Sequence, residues 1–284
     1  MSRRFAAGSW DLRYYFDTYR AQLKVGMALM LQYRFAVLIW GVWGFVGPLV
    51  SLAVWTAAAA ARGGPVSAPG SAEEFARADF AAYFLTFMIF SHLTMSWDAF
   101  EFAFRVRSGQ LSAQLLKPIH PIHRDAAHNL SFKVVTSSML LPIWLLLIVL
   151  LRPAAPEGWT GLVLAVPALL LAGVMRYVLQ YALAALAFWT TRVEAINQLY
   201  FTLDAFLSGR VAPLSLLPGA LAAFAYYSPF RAMGAFPVEL ALGRVPAAEI
   251  LPGFLLQLAW LGVSLLLLKV VWSAGVRQYS AVGA

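Results

Sequence analysis

The sequence predicts an all-α integral membrane protein, and three observations carry that prediction. Hydrophobic residues make up 61% of the 284 and charged residues only 12%, against roughly 25% charged in an ordinary soluble domain. The mean hydropathy is +0.73. Several apolar runs are long enough to cross a bilayer as helices, which satisfy their own backbone in lipid. Six transmembrane helices are expected within one transmembrane domain, 1–284. An N-terminal amphipathic interfacial helix precedes them, a cytoplasmic basic helix follows the second, and short re-entrant helices come before the last.

The interfacial helix is expected over 10–32. Leu12, Phe16, Tyr19, Leu23, Met27 and Met30 recur in steps of three and four, with Arg13, Asp17, Arg20 and Lys24 one position out of phase. The segment is too polar to span. It reads as a helix on the membrane surface, with Trp10, Tyr14 and Tyr15 at headgroup level, or as a helix packed on a partner protein. Met1–Arg34 holds six Lys/Arg and lacks a compact apolar core with a cleavage site. The first span is therefore expected to stay as its own insertion signal.

The spans are expected at 35–61, 80–100, 134–151, 161–189, 195–209 and 250–272. Gly41, Gly44 and Gly47 leave a smooth stripe on the first. A Gly/Pro/Ser loop over 62–79 reads as a short external connection. Between the second and third spans lies RVRSGQLSAQLLKPIHP, Arg105–Pro121. Arg105 and Arg107 make it basic, and Ser108 offers an N-cap hydroxyl. Leu111, Leu115 and Leu116 give it one apolar face, and Pro118 stops it, so a helix over 105–118 is expected. It reads either as a helix resting on a partner or as an ordinary basic loop. Five prolines cut 211–249 into apolar pieces. The longest, Gly219–Tyr227, is about 13 Å long as a helix, so a re-entrant region fits better than a crossing.

Charge orients the chain. Six spans leave both termini on one side, which gathers fourteen Lys/Arg, whereas Arg62, Arg77, Arg152, Arg210, Arg231 and Arg244 lie on the other. That bias places both termini and the central basic segment in the cytoplasm. The net charge of +8 does not point to nucleic acid, because the basic residues sit mainly between spans. The absence of cysteine excludes disulfides, thiolate catalysis and Cys-type zinc sites.

No phosphate-binding G-x-x-x-x-G-K-[ST] loop occurs, so any ATP-driven work needs another polypeptide. His120, His123 and His128 are close in sequence, but prolines break any helix there and no carboxylate beyond Asp125 has ligand spacing. Ser208 and Gly209 with His92 suggest an intramembrane serine hydrolase only weakly, with nothing to supply an oxyanion hole. Arg176 and Asp204 are better grounded. Each falls near the middle of its run, and a tight turn joins the two runs, so the residues should meet at similar depth. They form either a buried pair that fixes packing or, with His92, Trp97 and Asn197, part of a substrate route.

The whole pattern resembles the membrane subunits of type-2 ABC exporters: amphipathic helix, six spans, basic helix after the second, Pro-rich re-entrant helices before the last. RSGQLSAQLLKPI (Arg107–Ile119) and the closing VRQYSAVGA resemble a bacterial branch in which permease and ATPase are separate chains. The resemblance implies a permease subunit of the inner membrane with no enzymatic activity or cofactor of its own. ATP and Mg would be bound by two partner ATPase subunits. A second permease copy or a related permease would complete the assembly, amid membrane lipids and without nucleic acid. It further implies that 105–118 is the ATPase-coupling helix. Its contacts would be Arg105, Arg107, Ser108, Gly109, Leu111, Leu115, Leu116 and Lys117. The first, second and fifth spans would open or shut a route by alternating access. The aromatic second span (Tyr83, Phe84, Phe87, Phe90, Trp97) either suits a hydrophobic or amphipathic cargo or simply faces lipid. A membrane-embedded enzyme acting on lipid-linked substrates and a non-transporting membrane anchor are the alternative readings.

Overall fold

The computed structural model describes residues 12–68, 73–190 and 192–279. Trp10 and the last five residues of the closing motif lie outside them. Among the described residues every regular element is a helix, apart from one isolated antiparallel bridge between Val66 and Phe75. Four helices among the described residues are long and apolar enough to cross a membrane: α2 (Arg34–Arg62), α6 (Pro121–Leu151), α7 (Trp159–Ala184, extended by a 3₁₀ turn to Phe188) and α12 (Ala247–Gln278). Their outward faces carry Trp43, Val149, Leu170 and Leu266 in exposed positions. An apolar exterior over a bundle of this length has lipid as its solvent.

The other two expected spans are shorter. Helix α3 (Arg77–Thr94) has 18 residues and α8 (Val193–Leu207) has 15. The run expected at 80–100 is not one helix. It breaks at Met95–Trp97 and resumes as α4 (Asp98–Arg107). No proline or glycine causes the break. The carbonyl of Met95 accepts a 3.4 Å hydrogen bond from Asn129 Nδ2 on α6, so a tertiary contact takes the group that a continuous helix would use. Helix α6 also starts thirteen residues before the expected third span, with Pro121 at its first position and the His120 ring accepting the Ile122 amide at 3.1 Å.

Helix α1 (Leu12–Gln32) packs along this early part of α6. Tyr19 Oη bonds His123 Nδ1 at 2.9 Å, and Ser131 Oγ donates to the Leu23 carbonyl at 3.3 Å. The expected interfacial stripe is therefore turned largely toward the protein, while Phe16 remains exposed.

The centre of the bundle is α7 against α12. Ala165, Ala168 and Ala172 are completely or almost completely buried, which brings backbones close. Gln257 of α12 donates from Nε2 to the carbonyls of Ala168 (2.8 Å) and Ala232 (2.9 Å). Residues 211–249 fold as a 3₁₀ turn (Leu214–Leu216) and three short helices: α9 (Gly219–Tyr227), α10 (Pro229–Met233) and α11 (Ala235–Ala241). Helices α10 and α11 are almost wholly buried against α7, α3 and α12.

Candidate functional site

Arg105 is the residue about which the α4–α6 end is built. Its Nη1 and Nη2 reach Asp125 Oδ1 (2.8 Å) and Oδ2 (2.6 Å), and Nη1 also donates to Gln114 Oε1 at 3.0 Å. Tyr181 of α7 donates to the same carboxylate at 3.1 Å. Three helices and the intervening turn are thereby fastened to one buried fork. The turn needs Gly109, whose φ of +73° is open to glycine at little cost. It leads to the single helical turn α5 (Leu111–Leu115), whose Leu111 is fully buried with Phe102, Tyr181, Ala184 and Val193. Ser112 Oγ lies 3.1 Å from Tyr279 Oη, which ties α5 to the C-terminal helix.

This geometry corrects the expected helix over 105–118. The segment is two pieces, not one. Ser108 closes α4 and does not cap α5, whose N-cap Gln110 makes no side-chain capping bond. Arg105 and Leu111 face inward, Leu115 is half-buried, and Gly109 makes the turn. The outward face carries Ser108, Gln110, Ala113, Leu116 (87% exposed), Lys117 and Pro118. Arg107 is partly exposed and pairs with Glu194 at 2.9 Å. Such an exposed pair is screened by solvent and adds little to stability.

A second polar cluster lies between α7, α8 and α10. Arg176 Nη1 is 3.1 Å from Asp204 Oδ1, and Arg210 Nη2 donates to Asp204 Oδ2 at 3.0 Å. Arg176 Nη2 reaches the Met233 carbonyl at 3.3 Å. Gly209 makes this possible. Its φ of +87°, with the Tyr83 hydroxyl packed where a Cβ would stand, turns the chain back so that Arg210 meets Asp204. Asp204 Oδ1 is near enough to Arg176 for an ion pair but is not aligned as a hydrogen bond. Six buried atoms here have no hydrogen-bond partner among the described residues: Arg176 Nε, Gln180 Oε1, Asn197 Nδ2, Asp204 Oδ1, Ser208 Oγ and Arg210 Nε. Buried polar atoms are normally satisfied, so the concentration is unusual.

The remaining expected residues are dispersed. His92 is buried and bonds Thr136 Oγ1 at 2.7 Å, beneath Trp144. Trp97 stands at the α3–α4 break, edge-on to Trp40. His120 and His123 serve as a helix cap and a Tyr19 partner, and among the described residues no group of three or more His, Asp and Glu is arranged to hold a metal.

Sequence reasoning missed the opposite end of the bundle. Arg244 bridges Glu73 (2.9 Å) and Asp79 (2.8 Å) over the Phe75 ring, and Arg231 pairs with Glu239 at 2.8 Å. These ion pairs border a cavity of about 830 Å³. Acids scattered over a loop, the first turn of α3 and α11 gave no local signal of it.

The arrangement defines a multi-pass helical membrane protein with buried charge in its apolar middle and a short, fastened helix at one end. The model of the ABC-2 family transporter proteins matches residues 70–283, most of the chain, and the protein belongs to that family. No curated protein sequence matches it significantly.

Proposed function

We propose that this chain is the permease subunit of an ATP-driven exporter whose ATPase is a separate polypeptide. Family membership supports the permease role and, in general, an ATPase partner. One observation carries the coupling: α5 is braced inward by Arg105, Asp125, Gln114 and Tyr279 while it presents Ala113, Leu116 and Lys117 outward. A helix held on one side transmits displacement that a free loop would dissipate. The contact face is thus Ser108, Gln110, Ala113, Leu116 and Lys117, with Arg105 and Leu111 as the internal brace.

In this reading α3 and α8 also cross, giving six spans. Eighteen residues extend about 27 Å, close to a hydrocarbon core. Both termini and α5 are cytoplasmic, in a bacterial inner membrane. Two permease chains and two ATPase subunits form the unit, and the ATPase binds ATP and Mg. Closure of the ATPase pushes α5 and, through the Arg105 fork, α6 and α7. Water satisfies the open atoms around Asp204, which lines a route for a hydrophobic or amphipathic cargo by alternating access.

Co-expression with the ATPase from the same gene neighbourhood tests this. A stable complex is expected, with ATP hydrolysis dependent on the permease. Leu116→Glu combined with Lys117→Glu should reduce that hydrolysis about tenfold or more while the permease stays folded. Unchanged assembly and turnover, or labelling of a cysteine at 116 from the outer face, overturns the reading.

A further inference from the structure

A cavity of about 250 Å³ opens where α1, α2, α4 and α6 meet, beside the Met95–Trp97 break. Trp40 and Trp97 stand edge to face at 6.4 Å, with Phe132 also in the lining. Glu101 lines it too, and among the described residues its carboxylate forms no salt bridge, because the neighbouring Arg105 is engaged by Asp125 and Gln114. No Lys or Arg lines the cavity. Trp40 is 64% exposed and Trp97 37%, so the opening faces outward at the junction of α1 with α2.

We propose that this cavity is a binding site for the headgroup of a cationic amphiphile, of the quaternary or alkyl ammonium type. An aromatic face beside one carboxylate is the chemistry that recognises such a cation, and the attraction grows as the site is desolvated. The volume lies below the roughly 300–1,000 Å³ of a pocket for a drug-sized molecule, so the headgroup enters and the apolar tail stays outside along α2. A phosphate-bearing zwitterionic headgroup fits less well, because its phosphate would meet Glu101 and the lining offers it no Lys or Arg, only the His128 imidazole and the Asn129 amide. The break in α3 is what builds the site. Asn129 holds the Met95 carbonyl, which sets Trp97 across from Trp40. A continuous helix would not fix the ring there.

That the bound amphiphile is a transport substrate rests on the permease reading; the binding does not. The test uses purified permease in neutral maltoside micelles and labelled dodecyltrimethylammonium. Saturable binding is expected, weakened about tenfold by Glu101→Gln and by Trp97→Ala, and largely kept by Trp97→Phe. Dodecylphosphocholine and an uncharged dodecyl ether should compete poorly. Equal competition by either one, or unchanged affinity in Glu101→Gln, overturns the proposal. The binding assay contains no ATPase, so absent binding together with intact coupling in the co-expression experiment overturns only this site. Intact binding with failed coupling removes only the transport reading.

Discussion

The α4–α6 end of the bundle and its apolar middle each bury an arginine against an aspartate, and the two are finished differently. Arg105 meets Asp125 through two short bonds, and Gln114 and Tyr181 take up further bonding capacity of the pair. Arg176 meets Asp204 through one unaligned contact, shares it with Arg210, and is surrounded by open donors and acceptors. Burial of charge is costly in both places, and good geometry with full hydrogen bonding offsets that cost only in the first. The first pair therefore has one arrangement available to it. The second leaves buried donors and acceptors open. Rigidity belongs to the end that would transmit force, and slack to the middle that would let cargo past.

The largest effect should come from the rigid pair. Asp125→Asn keeps the shape but leaves the Arg105 charge buried, a loss of about 3–5 kcal/mol. Thermal unfolding in detergent should fall by about 5–10 °C. Replacing both partners, Arg105→Met with Asp125→Leu, should restore most of it, since apolar substitutes avoid the desolvation. If the single variant unfolds like the parent, the fork is not the brace.

Asp204→Asn should act differently. Arg210 is a third exposed and can turn toward water, and Arg176 keeps the Met233 carbonyl. The stability loss should be smaller, about 1–3 kcal/mol, while ATP-coupled transport per folded molecule drops several-fold. The decisive measurement is the pair of ratios, Tm against turnover, for both variants. Equal destabilisation with normal turnover would make the middle cluster a second structural fork and erase the contrast.

How much of this was legible beforehand varies with the range of the interaction involved. The prolines that cut 211–249 act locally, and α9 covers the residues read from them, Gly219–Tyr227. The apolar face of 105–118 was legible too, but not what it faces. Leu111 repeats at helical spacing whether it meets a partner or its own α7, and only the fold decides. Asp125, hidden in a basic stretch, gives no hint that it receives Arg105. The break at 95–97 lacks any breaker residue, because Asn129 makes it from another helix. Arg176 and Asp204 could be placed at similar depth from run lengths. Arg210 could not be added to them, since that contact depends on the reversal at Gly209.

The smallest expected effect sharpens the comparison from the acid side. His120 caps α6 next to the Arg105 fork, with its ring 4.2 Å from Trp272. Burial, then the charge of His123, lowers its pKa from 6.5 to about 4, against an opposing pull from Asp125. In that neutral state Nδ1 accepts the Ile122 amide, which a proton there would forbid. The unfolded chain binds a proton near pH 6.5 and the folded chain only near 4. Between those values the unfolded state holds more protons, so stability falls as the pH drops and levels off below about 4. The ring is partly exposed, so the loss at pH 5 should be about 1 kcal/mol, or a few degrees in Tm. His120→Asn retains a capping side chain without a titrating ring. Its unfolding temperature should depend less on pH between 7 and 5 than the parent's. Parallel slopes would mean that acid reaches the fork by another route, and the firmness of that end would not depend on a neutral cap.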